Sequence, residues 1–111
     1  MNNTDFNEVV EGQLAYCKQL LCSKGKEYDT SGNDRLHAFK VAASLQHTTC
    51  RKALAGMMAK HTASIYDMCV EDKNADLNKW TEKITDSINY LLLLKAIVIE
   101  ENTNNQEENH E

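Results

Sequence analysis

The 111-residue chain contains no proline and only four glycines. Both residues supply the tight turns that a small β-sandwich needs between its many short strands. Their scarcity argues against an all-β fold and for long helices with few connections. The length fits one domain. Hydrophobic residues at 41% and charged residues at 26% fit a soluble globular class rather than a disordered or collagen-like chain.

Apolar periodicity supplies the elements. Phe6, Val9, Val10, Leu14, Cys17, Leu20 and Leu21 recur at helical steps, so a first helix is expected from about Phe6 to Lys24, capped by Thr4 or Asp5 and stopped at Gly25. The polar stretch Gly25–Asp34 reads as an ordered loop. A second helix is expected from Asn33 or Asp34 to about Gln46, with Leu36, Phe39 and Ala43 on one side. Ala38, Val41 and Leu45 lie on another side, which predicts a helix wedged between neighbours. After a break at 47–49, Thr48 or Thr49 caps a third helix running to Glu71. A fourth helix is expected from Asp76 to Glu100, apolar nearly all round between Ile88 and Ile99. The expected architecture is all-α, a four-helix bundle-like array with a polar loop between helices 1 and 2. Residues 1–100 form the single domain, and 101–111 form a disordered acidic tail. The surplus apolar surface of the fourth helix predicts a homo-oligomer, most simply a dimer.

Twelve Lys and Arg face seventeen Asp and Glu, for a net charge of −5. Five of the acids fall in 100–111, so the body is balanced. Such a body is not a general nucleic-acid binder, which needs a basic excess. The chain opens without a basic n-region or an apolar core, and the run Leu91–Ile99, broken by Lys95, is too short to span a membrane. No cysteine pair has CxxC spacing, so the four cysteines read as reduced packing thiols in a cytoplasmic protein without membrane contact.

Candidate chemistry centres on helices 3 and 4. Asp67 and Glu71 share one helical face, as do Glu82 and Asp86. A turn near Asn74 brings Asp67 level with Glu82 in an antiparallel hairpin. If both faces point inward, the carboxylates converge on an oxygen-only site that suits Mg²⁺. Solvated acids four apart are the plainer explanation. Asp86 stands at the edge of the buried half of its helix, where a bare carboxylate is costly. His61 lies in an apolar stripe, either as a satisfied core histidine or as a site residue. Asn89 continues the polar strip begun by Glu82 and Asp86. Lys26, Arg35, Lys40, Lys60 and Lys83 are candidate phosphate contacts, and Tyr28 sits in the densest polar loop. No P-loop, GxGxxG, HExxH or GxSxG motif is present.

Four segments, Lys24-Gly-Lys-Glu-Tyr28, Asp34-Arg-Leu-His-Ala-Phe-Lys40, Gly56-Met-Met-Ala-Lys-His61 with Ser64 and Asp67, and Glu82-Lys-Ile-Thr-Asp-Ser-Ile-Asn-Tyr-Leu91, resemble a group of small phage and prophage proteins of Gram-positive bacteria. The last segment is also similar to the closing helix of the MazG-like, all-α nucleoside triphosphate pyrophosphohydrolases, and the chain shares features with nucleotide-modification-associated phage proteins. Those enzymes carry EExxE and ExxD motifs; here Asp67-xxx-Glu71 and Glu82-xxx-Asp86 stand in their places. The resemblance implies a nucleotide-binding protein of the host cytoplasm, and a Mg²⁺-dependent pyrophosphohydrolase if it turns over. Glu82 and Asp86 would bind metal, while Asp67, Glu71 and His61 would serve catalysis. Lys26, Arg35, Lys60, Lys83 and Asn89 would hold substrate, and Tyr28 would stack on the base. The alternative is a non-enzymatic phage protein that blocks a host defence protein, such as an anti-CRISPR, or that sequesters a nucleotide signal.

Overall fold

A computed structural model describes residues 1–28, 34–71 and 75–109. Among them are four helices and no strand: α1 (Asn3–Tyr28), α2 (His37–Leu45), α3 (Cys50–Val70) and α4 (Leu77–Asn109). The fold is all-α.

Local chemistry sets the starts. Asn2 caps α1, its Oδ1 accepting from the Asp5 N–H at 2.8 Å. That places the start two residues before the expected Thr4 or Asp5 cap could act. Thr49 caps α3 by accepting from the Lys52 N–H, and Asp76 caps α4 by accepting from the Lys79 N–H at 2.8 Å. Asp34 does not begin α2. Its Oδ1 accepts from the Leu36 N–H instead, building a turn that delays the helix to His37.

Two ends differ from expectation. α1 passes Gly25 and runs to Tyr28. A glycine inside a helix costs only about 1 kcal/mol, and no proline follows to enforce a stop. α4 passes Glu100 and continues to Asn109, so most of the segment expected to be a disordered tail is helix. Glu101 pairs with Arg51 at 2.9 Å, Glu100 pairs with Lys40 at 2.8 Å, and Thr103 Oγ1 donates to the Ile99 carbonyl. These tie the extension to α2, α3 and its own preceding turn.

α3 and α4 run antiparallel, with Arg51 beside Glu101 and His61 beside Asp86. α1 runs parallel to α4: Gln13 meets Thr85, and eight residues on, Leu21 shares a cavity with Asn89 and Leu93. The core sits where α2, α3 and α4 meet, built from Leu36, Phe39, Leu54 and Ile97. α2 packs on α3 through Phe39 and Ala43, but Val41 and Leu45 are exposed. It also reaches α4, through Phe39 beside Ile97 and Lys40 bonded to Glu100, so it sits against two neighbours as expected, although its Val41 and Leu45 side stays open. α1 packs on α4. There Gln13 Nε2 donates to Thr85 Oγ1 at 2.7 Å and to Cys17 Sγ at 3.3 Å, which satisfies the fully buried threonine and fixes the register. All four thiols are free. Cys17 is buried and Cys50 half-buried, and burial pushes the Cys50 thiol pKa up. Cys22 and Cys69 are exposed, so only two of the four cysteines serve packing.

α2 ends on His47, whose φ of 54° lies in the left-handed region. The Thr48 N–H reaches the Ala43 carbonyl and the His47 N–H the Ser44 carbonyl. These bonds satisfy the last carbonyls of α2 and need a residue that tolerates positive φ. A side chain there costs roughly 1–2 kcal/mol of backbone strain, part of which glycine returns as chain entropy. His47→Gly is therefore expected to stabilise the protein by about 0.5–1 kcal/mol, read as a higher urea midpoint. A lower midpoint would mean the imidazole makes contacts that outweigh the strain.

Candidate functional site

All four helical segments contribute to one cavity of about 390 Å³. Its apolar wall includes Leu21 of α1, Phe39 of α2, Met57 of α3 and Leu93 of α4. Its polar groups are Arg35, from the turn before α2, His61 of α3, and Asp86, Asn89 and Tyr90 of α4. Helical spacing explains the α4 set: residues 86, 89, 90 and 93 fall on one side at steps of three, one and three.

His61 Nδ1 lies 3.8 Å from Asp86 Oδ2. That is within Coulomb range but too long for a hydrogen bond. The imidazole also stands against the Tyr90 ring, centroids 5.1 Å apart and tilted by 44°. Among the described residues, three buried side-chain polar atoms have no hydrogen-bond partner: His61 Nδ1, Ser87 Oγ and Asn89 Oδ1. Two of the three belong to residues of this cavity. Buried polar atoms are nearly always paired, because leaving one unpaired costs about 1–3 kcal/mol. Arg35 donates to the Leu21 carbonyl at 3.4 Å and forms no ion pair among the described residues. A guanidinium so placed can hold a planar or tetrahedral oxyanion through a fork of donors.

The structure brings together Arg35, His61, Asp86 and Asn89 of the expected site residues. The others stand apart. Asp67, Glu71, Lys60 and Glu82 are exposed, and Lys83 is half-buried outside the cavity. The side chains of Lys26 and Tyr28 lie outside the described residues. The hairpin register does set Asp67 near the level of Glu82. However, Asp67 is six residues beyond His61 and therefore about 120° away from it around α3, at an exposed position outside the cavity. Among the described residues no three His, Cys, Asp or Glu side chains form a metal-binding group. The donor set around Asp86 offers one carboxylate and one imidazole, which does not make a protein cage for Mg²⁺. Tyr90 is the site residue that spacing could have found: it lies one turn beyond Asp86, on the same face.

Lys40 lies outside the cavity and bridges two acids, Asp34 Oδ2 at 2.7 Å and Glu100 Oε1 at 2.8 Å. Its ammonium, bonded to the Asp34 side chain, holds that carboxyl below the usual carboxylate range, with the Leu36 N–H adding to the effect. The pair anchors the turn that carries Arg35. Its contribution is present at neutral pH and disappears as the pH falls through the lowered Asp34 value. Exposed as it is, the contribution is small.

No helix among the described residues is long and apolar enough to cross a membrane. No family model, curated protein or solved structure matches the chain.

Proposed function

We propose that this protein binds a nucleotide in the cavity between Arg35 and the α3–α4 polar cluster. The observation that carries the reading is the pair of unpaired buried atoms, His61 Nδ1 and Asn89 Oδ1, on residues that line the same cavity as Arg35. A ligand that supplies the missing hydrogen bonds and an anionic group satisfies all three residues at once. The cavity volume lies at the lower end of the ordinary small-molecule range of about 300–1,000 Å³. Phe39, Met57 and Tyr90 offer an apolar and aromatic surface to a flat base. Asp86 and Asn89 accept from its N–H edge, and Arg35 takes phosphate.

Mg²⁺ enters this reading with the ligand's own phosphates, with Asp86 the one carboxylate available beside them. That is how Mg²⁺ is commonly held at phosphate sites. Hydrolysis between phosphates, and with it a kinship to the MazG-like phage proteins, is the finer form of the proposal. It rests on the sequence resemblance.

Titration calorimetry with nucleoside mono- and triphosphates, with and without Mg²⁺, tests the reading. Saturable binding is expected, and Arg35→Met should weaken it about 10-fold or more, the worth of a hydrogen bond to a charged group. Pyrophosphate release would extend the reading to an enzyme. Binding of no nucleotide would sink it and leave the host-protein inhibitor as the reading to pursue.

A further inference from the structure

We propose that the exposed apolar surface of the α1–α4 pair is the interface of a two-fold dimer of this chain. α4 carries two apolar stripes. The inner one, with Tyr90, Leu93, Leu94 and Ile97, packs into the core. The outer one is Ile84, Ile88, Leu91, Leu92 and Ile99, at steps of four, three, one and seven, interrupted by Lys95. Ile84 is 38%, Leu91 55%, Leu92 46% and Ile99 53% exposed. Beside it α1 carries one apolar stripe, which meets α4 at Gln13 and Cys17 and is left open around Phe6 and Val9, each 55% exposed, and Leu14 at 54%. Ile88 is half-buried, and the rest of this outer stripe stays exposed although α1 packs on α4 and α2 on α3.

Surface area argues for the size of the missing contact. A folded monomer of 12.6 kDa exposes about 6,200 Å². This chain exposes 8522 Å². The excess of about 2,300 Å² exceeds the roughly 800 Å² that each partner gives to an interface of standard size. The radius of gyration, 16.9 Å, is likewise above the roughly 13 Å of a compact domain of this length. Part of the excess belongs to the polar last turns of α4 and to scattered apolar residues such as Leu45, Tyr66, Val70 and Leu77, and the contiguous apolar part lies on the outer stripe of α4 and the open part of α1.

A second copy is the occupant that the chemistry favours. An apolar outer stripe on α4 and the open part of the α1 stripe beside it can meet their own copies under a two-fold axis, and two such helix pairs make a four-helix layer. The outer stripe of α4 has the three- and four-residue steps of helix–helix seams. An anionic membrane is a poorer fit, because the chain carries −5 and the face has no basic border beyond single lysines. Dimerisation would also clamp α1, whose Leu21 closes one wall of the cavity, although the proposal does not depend on what the cavity binds.

Light scattering and sedimentation equilibrium on the full chain are expected to give twice the chain mass at micromolar concentration. Val9→Glu combined with Leu91→Glu replaces two exposed residues and should yield a helical monomer. Leu45→Glu, on the exposed side of α2, should leave the dimer intact. A wild-type monomer at tens of micromolar overturns the proposal, and so does a dimer that survives the double substitution. Hydrogen exchange on the wild-type chain needs no variant. Amides of 6–14 and 84–92 should gain protection as concentration rises, and protection independent of concentration would count against the interface. A monomer that co-sediments with phosphatidylglycerol vesicles would assign the face to a membrane and overturn the dimer.

Discussion

Leu54→Ala is expected to destabilise the protein by about 3–5 kcal/mol, the upper range for truncating a buried leucine. Leu54 is fully buried and stands in the cluster with Leu36, Phe39 and Ile97, where the turn before α2, α2, α3 and α4 meet. Removing three carbons there takes away hydrophobic transfer energy and leaves a void at a junction of rigid helices that cannot easily collapse. A domain of this size commonly has only about 5–15 kcal/mol to lose. The midpoint of thermal unfolding should fall by ten degrees or more, at about 4–8 °C per kcal/mol. Leu45→Ala, at a residue 77% exposed, should change stability by less than about 0.5 kcal/mol. Urea unfolding followed by circular dichroism at one fixed protein concentration separates the two. A Leu54→Ala loss below 1 kcal/mol would mean the core lies elsewhere.

That core was legible in the sequence because Leu36, Phe39 and Leu54 fall on single helical stripes. So was the antiparallel run of α3 and α4, whose starts at Thr49 and Asp76 are marked by local chemistry, although the turn expected near Asn74 lies outside the described residues and the approach of Asp86 to His61 was not announced. The helix ends were less legible. Glu100 and Glu101 find Lys40 and Arg51, sixty and fifty residues away in sequence, and no local pattern announces such partners. The carboxylate site failed for a related reason. Spacing of four places Asp67 and Glu71 on one face of α3, yet which face meets α4 is fixed by Leu54, His61 and Met68, whose larger apolar contacts win. α1 shows the converse case. Its stripe was plain in the sequence, but a stripe states that something covers it and not what does.

Asn89→Leu should raise the stability of the ligand-free protein and weaken the proposed binding. The amide sits on the cavity face of α4 with its Oδ1 buried and unpaired. Leucine has the same branched shape with somewhat larger ends that the cavity can take, keeps the helix, and removes a polar atom whose desolvation is uncompensated, so a gain of about 1–3 kcal/mol is expected. A nucleotide loses a hydrogen bond in the same step, and affinity should drop about 10-fold or more. The opposite sign of the two effects is the diagnostic feature. A merely structural asparagine, held by contacts that matter to folding, would lose stability on substitution and leave ligand binding unchanged. His61→Phe checks the same logic from α3. It keeps an aromatic ring against Tyr90, removes the second unpaired atom, and leaves Asp86 without its nearby imidazole. The gain from His61→Phe should therefore be smaller than that from Asn89→Leu, because a half-buried carboxylate loses a potential counter-charge while an orphaned nitrogen disappears. If both variants unfold more readily than the wild type, the polar cluster is part of the scaffold, and the cavity's claim to a ligand goes with it.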